Sequence, residues 1–246
     1  MDLRRIVVET IFNFIRLLIS LRLQINLHIV NKGFIFDLDG VIVDTAKYHY
    51  LAWKKLANEL GFEFTEEQNE AFKGVSRKRC LEILLELGNV DATQEQFDNW
   101  MIEKNEDYLS YIENMDASEI LPDVPKILDF LKSNNIPMAL GSASKNAVPI
   151  LKKVGLLPYF KVVVDGNNVT KAKPDPEVFL LAANDIGIDP ANCVVFEDAL
   201  AGIQAANIAG MTSIGIGDAS ILTEASYNFN DFTEISTDFI KQLTTL

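Results

Sequence analysis

The chain has 246 residues, nearly half of them apolar, and carries 35 acidic against 22 basic side chains, a formal charge of −13. That length suits one ordinary domain with a smaller insert, and the apolar content can fill a core. The charge disfavours nucleic acid and anionic lipid as partners, so an anionic substrate needs a locally basic or metal-loaded pocket, which points to a small ligand. Cys80 and Cys193, the two cysteines, sit in apolar contexts with neither a ligand pair nor a disulfide framework. They read as core residues of a protein in a reducing compartment, with the cytoplasm expected.

The first 32 residues stand apart. Arg4, Arg5, Arg16, Arg22 and Lys32 face only Asp2 and Glu9, which leaves about −16 for the remainder. No small-residue cleavage site follows the apolar stretch, so a secretory leader is not expected. A membrane span is a poor reading too, because Glu9, Arg16 and Arg22 would each cost roughly 2.5–3.5 kcal/mol near the bilayer centre. A surface helix over residues 5–19 is one reading, followed by strict alternation from Leu21 to Ile29 that suits an edge strand. The other is an extension foreign to the domain, whose sequence texture begins at Asn31.

Beyond it, short apolar runs lead into helix-length amphipathic segments, the alternation of a parallel α/β sheet. The runs are Gly33–Phe36, Pro137–Leu140, Lys161–Val164, Cys193–Phe196 and Thr212–Ile216. Between the first two, residues 46–115 show helical periodicity (Tyr50, Trp53, Leu56, Ala57, Leu60) and no convincing strand, which predicts a helical insert after the first strand. Residues 33–45 and 116–246 then form the core. Pro122 and Pro125 bracket a helix start ahead of Lys126–Ser133, and Pro174 and Pro176 open another through Leu180–Ile186, leaving Lys173 in the preceding loop. Ligands of such sheets gather where carboxyl ends of strands meet helix starts.

Four motifs fall there. The first strand ends in Asp37-Leu-Asp39-Gly40, two carboxylates that suit magnesium and covalent phosphoryl transfer, or a solvated turn. Ala139-Leu-Gly-Ser142-Ala143-Ser144 puts a hydroxyl at a strand end, able to hold a phosphoryl oxygen or to cap a helix. Lys173 can neutralise a phosphoryl group in transit, or be a solvated surface lysine. Glu197-Asp198 closes a strand and precedes the small-residue segment Ala199–Ala206, where acids serve as metal ligands or as helix caps.

Singly, each motif is ambiguous. In this order, each after an apolar strand, they resemble the four-motif signature of haloacid dehalogenase-like phosphotransferases. That resemblance implies a Rossmann-like parallel sheet with a small all-helical cap inserted after the first strand. Asp37-Leu-Asp-Gly-Val-Ile-Val-Asp-Thr45-Ala46, His49, Trp53, Lys54 and Lys73-Gly-Val-Ser-Arg77 are similar to the β-phosphoglucomutase branch of that superfamily, from about Lys32 to the C-terminus.

The resemblance then implies roles. Asp37 would be phosphorylated, Asp39 would exchange protons with the sugar oxygen, and Ser142 and Lys173 would contact the moving phosphoryl group. Mg2+ would be held by Asp37, the carbonyl of Asp39, Glu197 and Asp198. Arg77 with Gly74, Val75 and Ser76 would hold the distal end of a sugar phosphate, as an arginine fork suits phosphate, with Ser144 and Asn146 helping from the core. Thr45, Trp53, Lys54, Lys104 and Ala143 join that substrate-binding set. Arg77 has the alternative of a solvated cap helix, and His49 either orients Asp39 through the hinge or simply packs the cap.

The activity implied is interconversion of β-D-glucose 1-phosphate and glucose 6-phosphate through a bisphosphate, by a chain expected to be monomeric. The rival on the same scaffold is a sugar-phosphate phosphatase, in which water attacks phospho-Asp37. A non-catalytic interaction protein is disfavoured by the intact Asp37, Asp39, Lys173 and Asp198.

Overall fold

A computed structural model of the protein describes Arg16, residues 32–73 and residues 75–245. The expectations for a helix over 5–19 and a strand over 21–29 lie outside these residues, Arg16 apart. Among the described residues, six strands form one parallel sheet: β1 (Gly33–Phe36), β2 (Met138–Gly141), β3 (Val162–Val164), β4 (Cys193–Glu197), β5 (Thr212–Ile216) and β6 (Tyr227–Phe229), in the order β3-β2-β1-β4-β5-β6.

The unbroken apolar runs mark strands covered on both faces. Within β1 the alternation separates the faces. Phe34 and Phe36 point into a core with Leu128, Leu131, Ile150 and Ile240, while Ile35 faces Phe179, Ala182 and Ala206. Helices α5 (Val124–Ser133), α6 (Ala147–Lys153) and α9 (Thr237–Leu243) cover the first side, and α7 (Glu177–Ile186) and α8 (Leu200–Ile208) the second. Phe36 stacks on Phe196 of β4 with ring centroids 4.8 Å apart, tying the two central strands together. β6 has no counterpart among the predicted strands. It is three residues long with Tyr227 exposed, too short to carry a period, and it forms on the template of β5.

Between β1 and α5 the chain forms four further helices: α1 (Ala46–Glu59), α2 (Glu66–Glu70), α3 (Arg77–Gly88) and α4 (Gln94–Tyr111). They share an apolar centre of Trp53, Leu56, Phe64, Phe72, Leu81 and Leu84. Thr65 and Thr93 start α2 and α4 with capping boxes, so these starts are written locally. The two chain crossings between sheet and helices pair with each other, Leu121 N–H donating to the Ile42 carbonyl and Asp44 N–H to that of Glu119. No helix among the described residues is long and apolar enough to cross a membrane.

Strand order reverses at β1, whose neighbours β2 and β4 lead to opposite edges of the sheet. The crevice therefore opens at the carboxyl end of β1, beneath α1–α4.

Candidate active site

Asp37 is the first residue past β1, and its N–H donates to the Phe196 carbonyl at 2.9 Å, so the ladder fixes the backbone under the carboxylate. Lys173 reaches it from the loop ahead of α7, with Nζ 2.5 Å from Asp37 Oδ1 and 3.0 Å from Glu197 Oε1. Asp37, Lys173 and Glu197 are 5%, 6% and 0% exposed, so the solvated-lysine alternative does not hold. Burial acts to lower the lysine's pKa, but Asp37 and Glu197 outweigh it and hold Lys173 charged above its ordinary range.

Ligand oxygens of Asp37, Glu197 and Asp198 lie within 4.8 Å of one another. Burial pushes the Glu197 carboxyl well above the usual carboxylate range against the pull of Lys173, and burial with Asp37's repulsion raises Asp198 to about 7. Three converging oxygen donors, with Glu197 and Asp198 held there at a cost to their own ionisation, fit a hard dication such as Mg2+. Two glycines permit the convergence. A Cβ on Gly40, whose φ is +76°, would sit 2.1 Å from Asp198 Oδ2, and one on Gly202 would sit 1.6 Å from Glu197 Oε1. The small-residue start of α8 is thereby explained: Glu197 folds back against it.

Asp39 turns to the other side of the crevice and accepts a hydrogen bond from the fully buried Thr45 hydroxyl. Its carboxyl is raised to about 6 by burial first and by Asp37 second, opposed by Thr45 and Lys104. His49 Nε2 lies 3.9 Å from the same Asp39 oxygen, and Lys104 Nζ lies 2.9 Å from His49 Nδ1. Burial, with Lys104 and Arg77 beside it, keeps His49 well below its ordinary pKa, so the neutral ring accepts from Lys104. Lys104 is itself lowered to about 7 by burial and by Arg77.

A cavity of about 350 Å³ joins these groups, walled by Trp53, Val75, Ser76, Arg77 and Lys104 from the helices and by Ser142, Ala143 and Ser144 from the end of β2. Ser142 is buried and its Oγ accepts from Ser144 N–H at 3.1 Å, while Ser76 caps α3 through Arg79 N–H. Thr45 and Glu197 stand behind the wall, braced against Asp39 and Lys173. Asn146 is taken up by a bond to Asn105 of α4 at 3.1 Å, which ties the loop after β2 to the helices.

The structure does not bring Lys54 to the cavity. One position past Trp53 the helix has turned by about 100°, and Lys54 Nζ donates instead to the Tyr50 hydroxyl at 3.1 Å. Gly74 lies outside the described residues. Lys78, Lys145 and Lys171 line the cavity although their sequence gave no cue beyond lying next to Arg77, Ser144 and Lys173. Tyr108, one turn after Lys104, was also missed; its ring stacks on His49 with centroids 4.0 Å apart.

A parallel sheet whose central strand ends in Asp37, with Lys173 and two further carboxylates around it, defines a haloacid dehalogenase-like enzyme. The haloacid dehalogenase-like hydrolase family matches over residues 31–210, and the chain belongs to it. Among its relatives, β-phosphoglucomutase of Bacillus subtilis (strain 168) is 37% identical over 213 residues, covering 86% of this chain and 94% of that one. The fructose-1-phosphate phosphatase of Escherichia coli (strain K12) is 36% identical over 188 residues, covering 75% and 95%. The crystal structure of β-phosphoglucomutase from Clostridium difficile superposes with a TM-score of 0.83 at 40% identity, covering 87% and 96%. The chain is thus an enzyme of this superfamily, a phosphoglucomutase or a phosphatase.

Proposed function

We propose that the chain is a Mg2+-dependent β-phosphoglucomutase that interconverts β-D-glucose 1-phosphate and glucose 6-phosphate through glucose 1,6-bisphosphate. The observation that carries this reading is the charge of the cavity. Lys73, Arg77 and Lys78 from the helical side and Lys145 and Lys171 from the sheet side face it, beyond the Lys173 that serves Asp37. In a chain of charge −13, that local excess suits two phosphates better than one. A phosphatase needs to hold only the phosphate it removes.

In this reading, Lys173 and Ser142 hold the phosphoryl oxygens while an Asp37 oxygen attacks phosphorus in line. The bond from phosphorus to the sugar oxygen breaks, and Asp39 passes its proton to that oxygen. Its carboxyl, raised to about 6, suits a group that gives and takes a proton near neutrality. With β-glucose 1-phosphate next in the cleft, Asp39 takes the proton from its 6-hydroxyl and the phosphoryl group passes from Asp37 to that oxygen, giving glucose 1,6-bisphosphate, which turns over, returns its 1-phosphoryl group to Asp37 and leaves as glucose 6-phosphate. Asp37, Glu197, Asp198 and the Asp39 carbonyl would hold Mg2+, which neutralises charge on the transferred group when bound. Residues 46–115 act as a cap over a core of 33–45 and 116–246, closing on the paired crossings at 42–44 and 119–121 to exclude water. Arg77, Val75, Ser76, Ser144 and Lys104 grip the distal end of the sugar phosphate. The enzyme works as a monomer in the cytoplasm, in keeping with two buried free cysteines.

The test is to follow glucose 6-phosphate and free phosphate together from β-glucose 1-phosphate, Mg2+ and a trace of glucose 1,6-bisphosphate, with Asp37→Asn as the blank. Fast glucose 6-phosphate with little free phosphate, abolished in the variant, is expected. Phosphate release without isomerisation overturns the mutase reading in favour of the phosphatase.

A further inference from the structure

Tyr108 is 1% exposed, and its hydroxyl finds no hydrogen-bond partner among the described residues, an arrangement that folded proteins seldom keep. A phenylalanine would fill the same space without that orphan. The ring already has work, stacking on His49 at 4.0 Å and lying under Lys104 Nζ at 5.0 Å. These are the two groups that reach Asp39 from the helical side, His49 directly and Lys104 through His49. Burial keeps the phenol protonated and therefore a donor, Asp39, Arg77 and Tyr48 act on it through charge, and the Thr45 hydroxyl lies beside it without completing a hydrogen bond.

The orphan becomes intelligible if Asp39 moves. In the present arrangement the Thr45 hydroxyl donates to Asp39. If the Asp39 carboxyl, which already lines the cavity, turns from Thr45 to a sugar oxygen, the fully buried Thr45 hydroxyl loses its acceptor beside the hydroxyl of Tyr108. Two adjacent orphaned hydroxyls can bond each other. Releasing Asp39 then exchanges one hydrogen bond for another instead of stranding a buried hydroxyl.

We infer that Tyr108 is a positioning residue for Asp39: its ring seats His49 and Lys104 against the carboxylate, and its hydroxyl takes over Thr45 when Asp39 turns to the substrate. This rests on Asp39 being the proton carrier of the reaction proposed above. Tyr108 itself touches no substrate and moves no proton.

The experiment compares wild type, Tyr108→Phe and Tyr108→Leu in a single turnover with two phosphoryl donors. Glucose 1,6-bisphosphate needs its leaving oxygen protonated by Asp39, whereas p-nitrophenyl phosphate releases nitrophenolate with no proton. Tyr108→Phe is expected to slow phosphoryl transfer from the sugar ester by about tenfold with half-saturation within about twofold, and to leave the nitrophenolate burst unchanged. Tyr108→Leu, which also removes the seat of His49, should slow the sugar ester further and again spare the aryl ester. Equal losses on both donors, no loss on either, or a change confined to half-saturation would overturn the assignment. Thermal unfolding checks that Tyr108→Phe folds as well as the wild type, and a variant that melts markedly lower also counts against it, since a role through Asp39 predicts no such cost. Should the wild type prove a phosphatase, the ratio between the two donors still decides the role of Tyr108, so the two readings fail separately.

Discussion

The floor and the roof of the cleft are built on opposite plans. On the floor, Asp37, Lys173 and Glu197 are almost sealed, locked by contacts of 2.5 and 3.0 Å, and packed against a glycine. On the roof, Arg77 is half-buried at the first turn of α3 with no ion pair among the described residues, and Lys73 bonds only Glu70 at 2.9 Å. In the proposed reaction the floor meets the phosphoryl group, which is the same in every ester, so it gains from being rigid before substrate arrives. In the same reading the roof meets the part of the substrate that varies, so its charges are left for the substrate to pair. Among relatives of this family, a mutase and a sugar phosphatase stand at nearly equal identity to the chain, as expected if chemistry and selectivity are carried by separate surfaces.

The sharpest way to break this comparison is Arg77→Ala. If the roof selects and the floor reacts, kcat/KM for the sugar phosphate falls by about 100-fold, roughly the loss of a bidentate charged pair, while hydrolysis of a small aryl phosphate changes little. An equal loss on both esters, measured in parallel steady-state assays, would place Arg77 in the chemistry and erase the distinction.

The floor is probed through Gly202→Ala. The new Cβ overlaps Glu197 Oε1, so either α8 or the carboxylate must shift; overpacking of this kind costs about 1–3 kcal/mol, several degrees of Tm at this size. Thermal unfolding should show that loss, and the Mg2+ concentration needed for half-maximal rate should rise with it. A stable variant of unchanged Mg2+ dependence would mean that the floor is less rigid than its packing implies.

A third test concerns Lys104, held at about 7 against an ordinary 10.5. The folded protein binds fewer protons than the unfolded chain between those values, so its stability rises with pH across that window. The penalty of burying this lysine is full below about 7 and fades as pH approaches 10.5. Urea unfolding at pH 6.5 and 9.5 should give wild type the larger gain, and Lys104→Met should flatten the difference. An equal slope in both proteins would show that Lys104 keeps its charge in the folded protein.

Much of this was legible in the chain itself. Apolar runs ending in Asp37, Ser142 and Glu197 located strands and site together, because in a parallel sheet the strand's end is also the place where ligands gather, and the proline-marked helix start placed Lys173 in the loop beside them. The capping-box threonines and the prolines at 125 and 176 marked helix starts for equally local reasons. Lys54 misled because a motif matched along the chain says nothing of which side of α1 a residue occupies. β6 escaped because its three residues acquire strand character only beside β5.

What the sequence determined alone was the family, the order of the strands' motifs and the identity of the charged groups, since these depend on residue type and spacing. Tertiary structure alone decided which charges are buried, and with them the raised carboxyls of Asp39 and Asp198 and the lowered Lys104. It also brought Lys104 and Tyr108, distant in sequence, onto His49 and so to Asp39. Desolvation and Coulomb interaction depend on distance in space, and that distance is set only when the sheet and the four helices close on one another.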